Sequence, residues 1–376
     1  MVGYSPVTMG ETLMIIWIGP YRTLSSYAES ARRMLPAMSD VWVWPQDPPN
    51  VVLADVSETE HDWLTHHQVP SPEWIASSGA PVIYNTVPGM LSSNLPAGWI
   101  NSGWDASPYP ASWVKTLNTQ KGYITWSHWT ADIAKKSGVT VPIHVLPIPY
   151  TPRDLITTFP KPATTVFGMV GQLVPRKALL EMIETFWQTF TDQDDVALIV
   201  KGIDSATMTT AMVLRDLHYR KRTYSPPPTL LWTGSWSPAD MAQFYNTIDV
   251  FIGPSRGEGF GMPYLEAAMH HTALMVVDQA GGYEDWLPAE GAWRIPSREV
   301  KIPAGGIPDW QEAGMTWWET RAKDWQAPLW EAAHHHDLTQ TKATAAQVAA
   351  TAYGSLTAFQ QRWTQTVLPH VVASGA

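Results

Sequence analysis

Cysteine is absent from this chain. A protein without it has no disulfide framework, no thiolate metal site and no thiol nucleophile, although the absence does not fix a compartment. Long apolar runs are missing too. The stretch from Leu13 to Ile18 has only the length of a strand, and nothing approaches the roughly 18 apolar residues that cross a bilayer. A basic n-region with a long h-region is also lacking, so the chain reads as a soluble cytoplasmic protein, with peripheral membrane contact left open. Charge is sparse: 15% of residues are Asp, Glu, Lys or Arg, and the formal net charge is −10. That balance argues against broad electrostatic capture of nucleic acid, while leaving room for a local basic patch. No internal repeat occurs.

Tryptophan is plentiful instead, with 21 in 376 residues. Indoles stack on sugar rings, which suggests a carbohydrate protein. Large aromatics nevertheless dominate buried area in any fold, so most are expected in packing. With 45% apolar residues the chain is globular, and its length fits two ordinary domains.

The stretch that organises the rest runs from Asp249 to Val277. Val250-Phe-Ile252 reads as a buried strand, followed by a Gly-Pro-Ser-Arg turn, Glu258-Gly-Phe-Gly261, a helix led by Pro263, and a second strand from Ala273 to Val277. Proline suits the start of a helix because its missing N–H needs no partner there. The backbone amides of Gly259, Phe260 and Gly261 then sit beside a helix N-terminus, a place suited to an anion. Glu258 and Glu266 frame it, with seven residues between them.

This pattern, Pro-Ser-Arg-Gly-Glu-Gly-Phe-Gly followed by Pro and Leu-Glu-Ala, resembles the Glu-x7-Glu motif of retaining nucleotide-sugar glycosyltransferases, the group 1 or family 4-like set of the GT-B fold. The resemblance implies an α/β architecture of two Rossmann-like, doubly wound domains facing across a cleft. It also implies metal-independent transfer of a hexosyl unit from a UDP- or GDP-sugar to a hydroxyl acceptor, with no cofactor beyond the donor itself. The expected acceptor is a glycan, a lipid-linked compound or a small molecule. In that family the first glutamate contacts the donor sugar and the second the ribose, which maps onto Glu258 and Glu266. Glycosylation of modified nucleic-acid bases, and a non-catalytic carbohydrate-binding descendant, remain as alternatives.

A second match lies upstream. Thr165 to Val170 reads as a strand, followed by Gly171-Gln172, then Arg176-Lys177 and an apolar-periodic helix from Ala178 to Phe190. The family carries an arginine and a lysine here that grip the donor pyrophosphate. Lys177 matches the lysine, Gln172 stands at the arginine position, Ala178 replaces a glycine, and Arg176 is the candidate for the missing charge. A basic pair at a helix start is otherwise disfavoured by the helix dipole. Strands from Val196 to Val200 and Thr229 to Trp232 end at Lys201-Gly202 and Thr233-Gly234, which the resemblance assigns to the nucleotide base.

The first half is less specific. Strands are expected from Leu13 to Ile18, Val41 to Trp44, Val51 to Ala54, Pro81 to Tyr84, Gly122 to Trp126 and Ile143 to Leu146. Arg22, in the first strand-to-helix turn, is either an anion contact or a solvated residue. The segment from Asn85 to Trp113 reads as a long structured loop over the cleft and carries the acceptor-side candidates Asp105, Trp104 and Trp99. His128, at the start of a helix, is either a further acceptor-side cleft residue or a helix-cap neighbour with no chemistry. His334-His335-His336 point in different directions on a helix and are not taken as a metal site. Lys301 to Gly314 reads as an inserted loop, and Trp317 to Trp330 and Asp337 to Leu368 as helices. The expected division is an acceptor-side domain over residues 1–152, a donor domain over 153–345 and a helix over 346–376 returning to the first domain.

Overall fold

The computed structural model describes residues 14–38, 41–47, 57–91, 95–153, 158–205, 208–221, 223–307 and 310–374. Two six-stranded sheets dominate it. The first contains β1 (Ile15–Gly19), β2 (Val41–Pro45), β3 (Val82–Asn85), β4 (Trp99–Asn101), β5 (Gly122–Thr125) and β6 (Ile143–Val145), in the order β2-β1-β3-β4-β5-β6. All its pairings are parallel. The second contains β7 (Thr165–Gln172), β8 (Val196–Ile203), β9 (Thr229–Trp232), β10 (Val250–Gly253), β11 (Ala273–Val277) and β12 (Ala292–Ile295), in the order β12-β11-β10-β7-β8-β9. It too is wholly parallel. These are two Rossmann-like domains. Parallel sheets are covered on both faces, which is why β1, β10 and β11 are unbroken apolar runs buried along their length.

The expected strands from Leu13, Val41, Pro81, Gly122, Ile143, Thr165, Val196, Thr229, Val250 and Ala273 are all present, with small shifts at their ends. The one expected from Val51 to Ala54 lies outside the described residues. Two readings need correction. The segment from Asn85 to Trp113, read as irregular, contains β4 at the middle of the first sheet. Three residues are too few to show a period, and Trp99 fits beside β5 only because its partner there is Gly122. A Cβ on Gly122 would lie 2.2 Å from the Trp99 ring. The segment from Trp317 begins as a strand, not a helix: β13 (Arg298–Lys301) and β14 (Thr316–Glu319) form an antiparallel hairpin, and the helix follows from Ala322 to His334.

This hairpin leaves the second domain and reaches the first. Thr316 exchanges backbone hydrogen bonds with Ser107, at 2.5 and 3.1 Å, and Trp310 packs edge-to-face on Trp113. The chain ends in helices Leu356–Arg362 and Leu368–Ala373, joined by a π-helical turn. Beyond them Ser374 accepts from the Trp99 indole at 2.8 Å, in the first domain. Among the described residues no helix is long and apolar enough to cross a membrane.

Candidate functional site

In a doubly wound sheet, ligands bind at the carboxyl ends of the strands where the strand order reverses. In the second sheet that point lies between β7 and β10, which are hydrogen-bonded neighbours although far apart in sequence. The loop after β7 carries Arg176 and Lys177; the loop after β10 carries Ser255 to Gly261. Topology therefore brings together the two stretches that the sequence singled out.

Lys177 lies over the end of β7. A Cβ on Gly171 would come within 3.3 Å of its aliphatic carbons, so the glycine makes room for the side chain. Its Nζ donates to Glu258 Oε1. Arg176 holds four acceptors: the Gly257 carbonyl, Ser255 Oγ at 3.3 Å, Glu258 Oε1 at 3.5 Å and Asp105 Oδ2 at 2.9 Å. Glu258 is 5% exposed. Burial pushes its pKa up, but the charges of Lys177 and Arg176 outweigh that and hold the carboxyl below its ordinary value. Ala178, beside Lys177, has φ 50° and ψ 28°, a left-handed conformation that glycine adopts at no steric cost.

The Glu258-Gly-Phe-Gly loop is clamped between the domains. The Gly259 N–H donates to Asp105 Oδ1 at 2.6 Å, and its carbonyl accepts from Ser127 Oγ at 2.6 Å and Thr130 Oγ1 at 2.9 Å. Gly261 caps the helix Met262–Met269 with φ 80°. Among the described residues the amides of Phe260 and Gly261 make no hydrogen bond to the protein. Phe260 itself is buried.

Glu266 lies one turn into that helix and is 7% exposed. Its two oxygens are taken by Arg33 Nη2 and the Tyr245 hydroxyl, both at 2.7 Å. Arg33 comes from helix Ser26–Met34 of the first domain, and also bonds Glu29 at 2.7 Å. Burial raises the pKa of Glu29, yet Arg33 and Arg32 together hold it down at about 2. Burial, reinforced by the Glu266 charge, pushes the Tyr245 phenol well above its ordinary value.

Farther along the sheet edge, Lys201 is 2% exposed and reaches the Gly234 carbonyl at 2.7 Å, with Trp236 flanking it. Burial alone lowers its pKa to about 8. Thr233 is exposed and lines a cavity of about 310 Å³ with Phe159, Leu231, Trp232 and Trp236. Gln172 is exposed at the end of β7.

The acceptor-side candidates separate. Asp105 reaches the centre of the cluster. Trp104 is buried, its indole bonded to the Pro108 carbonyl at 3.1 Å and set edge-to-face on Trp113. Trp99 is in the core. The His128 ring is exposed, and its backbone N–H donates to Asp285 at 2.7 Å. Arg22 pairs with Asp47 at 3.4 Å. Arg33, Tyr245, Ser127 and Thr130 were not foreseen. Arg33 meets Glu266 across 233 positions, and no local pattern marks such a partner. No group of three or more His, Asp or Glu among the described residues is arranged to hold a metal ion.

Residues 158–294 match the family described as glycosyl transferases, group 1. The chain is 26% identical over 142 residues to a capsular polysaccharide biosynthesis glycosyltransferase of Staphylococcus aureus, covering 38% of this chain and 35% of that one. It is 25% identical over 150 residues to a serotype-specific mannosyltransferase of Escherichia coli, covering 39% of this chain and 17% of that one. The match thus spans about a third or less of these relatives' lengths. Among solved structures, HepE of Anabaena in complex with UDP-glucose superposes with a TM-score of 0.69 at 14% identity, over 95% of this chain and 100% of that one. Sucrose-phosphate synthase of Thermosynechococcus elongatus gives 0.68 at 11% identity, over 96% and 100%. Likeness at such identity is a likeness of fold. The chain thus has the two-domain GT-B fold of these solved structures, and its residues 158–294 are similar to the glycosyl transferases of group 1.

Proposed function

We propose that this protein is a retaining glycosyltransferase that moves a hexosyl unit from a nucleotide diphosphate sugar to a hydroxyl acceptor. The observation that carries the reading is the cluster of Lys177, Arg176 and Glu258 at the switch point between β7 and β10. Departure of a nucleoside diphosphate builds negative charge on its terminal phosphate, and fixed cations stabilise that charge most in the transition state. Lys177 and Arg176 supply them from side chains. Glu258 orients the donor sugar through its hydroxyls. Glu266, held by Arg33 and Tyr245, faces the ribose.

In the reaction the anomeric C–O bond to phosphate breaks and the acceptor oxygen bonds to the same face of the sugar. The acceptor's proton passes to the departing phosphate oxygen in a front-face reaction. A covalent glycosyl intermediate on a carboxylate would give the same stereochemical outcome. The relatives' names, a capsular polysaccharide enzyme and a mannosyltransferase, support a glycan acceptor. A soluble chain working at the cytoplasmic side fits such a substrate.

The test is a thermal-shift panel of UDP, GDP, ADP and TDP with their glucose, mannose and GlcNAc forms. A ligand that binds only the native state raises the melting point according to its concentration over its dissociation constant. One base should give a clear shift that is lost in Glu266→Ala. No shift with any of them would sink the reading.

A further inference from the structure

We infer that Asp105 is an internal stand-in for the donor's phosphate, and that donor binding must expel it. The inference rests on the donor-site reading above. Asp105 lies in the first domain, yet its carboxylate makes the two contacts that a phosphate would make in the second. One oxygen accepts from the Gly259 N–H at 2.6 Å, and the other meets Arg176 at 2.9 Å. Both are charge-assisted contacts with short donor–acceptor distances.

Charge counting strengthens the case. The cluster holds two cations, Lys177 and Arg176, and two carboxylates, Glu258 and Asp105. With all four in contact the cations are already neutralised, and an incoming diphosphate finds no net attraction. One carboxylate has to leave. Exposure decides which: the Glu258 side chain is 7% exposed and bonded to both cations, whereas Asp105 is 36% exposed and can be rehydrated. Removing Asp105 frees Arg176 Nη2 and the Gly259 amide together, while Arg176 Nη1 stays on Ser255, Gly257 and Glu258.

The contact is built into the fold. The carbonyl of Asp105 abuts Gly257 and that of Trp104 abuts Gly259, so closely that a Cβ on either glycine would clash. The β13–β14 hairpin holds the same loop through Ser107 and Thr316, and it bonds the Arg256 carbonyl through the Trp318 N–H at 2.8 Å. One hairpin therefore ties the Asp105 loop to the Glu258 loop. If the filled state predominates, apparent donor affinity is reduced by the fraction of molecules in which the site is open.

The test is calorimetric titration of the full chain with inorganic pyrophosphate, UDP and GDP, using wild type, Asp105→Asn and Asp105→Ala. Asp105→Asn keeps the shape and removes the charge, so it covers the case in which Asp105→Ala folds poorly. The expected result is tighter pyrophosphate binding by about tenfold or more, the scale of one hydrogen bond to a charged group. The nucleoside of whichever diphosphate binds, lacking phosphate, should bind both variants as it binds wild type. Unchanged or weaker pyrophosphate binding in both variants would overturn the inference. If wild type binds a diphosphate and Lys177→Ala does not, the donor site stands even when the stand-in falls. If no folded variant binds any of the three, both are wrong.

Discussion

Substituting Gly257 with alanine tests the contact on which the site's arrangement depends. Gly257 is not among the glycines with positive φ, so backbone strain is not at issue. The obstacle is steric. A Cβ there lies 1.9 Å from the Asp105 carbonyl oxygen and 3.0 Å from its carbon. Ordinary C···O contact is about 3.4 Å, so the loops must part by about 1.5 Å. The obstructing atoms are backbone, and no rotamer change relieves them. Parting by that amount stretches the Asp105 bonds to Gly259 and Arg176, now 2.6 and 2.9 Å, beyond hydrogen-bond range. Overpacking of this kind destabilises by about 1–3 kcal/mol. Urea unfolding followed by tryptophan fluorescence should show a midpoint lowered by roughly 0.5–1 M. Turnover should also drop, by about a hundredfold, because Glu258 is the next residue and a shift of about 1 Å misplaces it. A Gly257→Ala protein with the wild-type midpoint and wild-type turnover would refute the domain contact.

Lys177→Ala should lower turnover by about two to three orders of magnitude at saturating donor, and a value within threefold of wild type would move the pyrophosphate grip elsewhere. Arg33→Met leaves the buried Glu266 carboxylate with Tyr245 alone and should destabilise by about 3 kcal/mol or more. A double-mutant cycle with Glu266→Gln should then give a coupling above about 1 kcal/mol, and an additive cycle would remove the ion pair. Ala178→Gly should stabilise by about 1 kcal/mol in the same unfolding assay, by relieving the left-handed alanine, and a loss of stability would show that its methyl matters more than its φ. Lys201 has its pKa lowered from 10.5 to about 8 on folding, so between those values the folded chain binds fewer protons than the unfolded one. Its contribution to stability therefore rises as pH climbs from about 8 to about 10.5, and Lys201→Met should lose that rise; equal pH profiles for the two proteins would contradict the buried charge.

Local chemistry made much of this protein legible from residue order alone. Strands buried on both faces must be largely apolar, so β1, β7, β8, β10 and β11 stand out in the chain as short apolar runs. Glycine and proline around Glu258 mark a turn into a helix, and Arg176-Lys177 mark a place where charge departs from ordinary helix-start preference. The Glu-x7-Glu spacing and the strand–loop–helix alternation led to the GT-B architecture. What was not legible depended on partners far away in sequence. β4 is three residues whose tryptophan is accommodated by a glycine on the next strand, and β14 begins where an aromatic, charged segment looked helical. Asp105 belongs to the first domain by sequence, but closure against Gly257 and Gly259 brings it onto Arg176. Arg33 has no distinguishing neighbours, and only the apposition of two domains gives it Glu266. A residue's own type and its nearest neighbours set its backbone preference and its burial, whereas the counter-charge it meets is chosen by how separate domains pack; sequence therefore disclosed the parts of this site, and tertiary structure alone decided which carboxylate each cation holds.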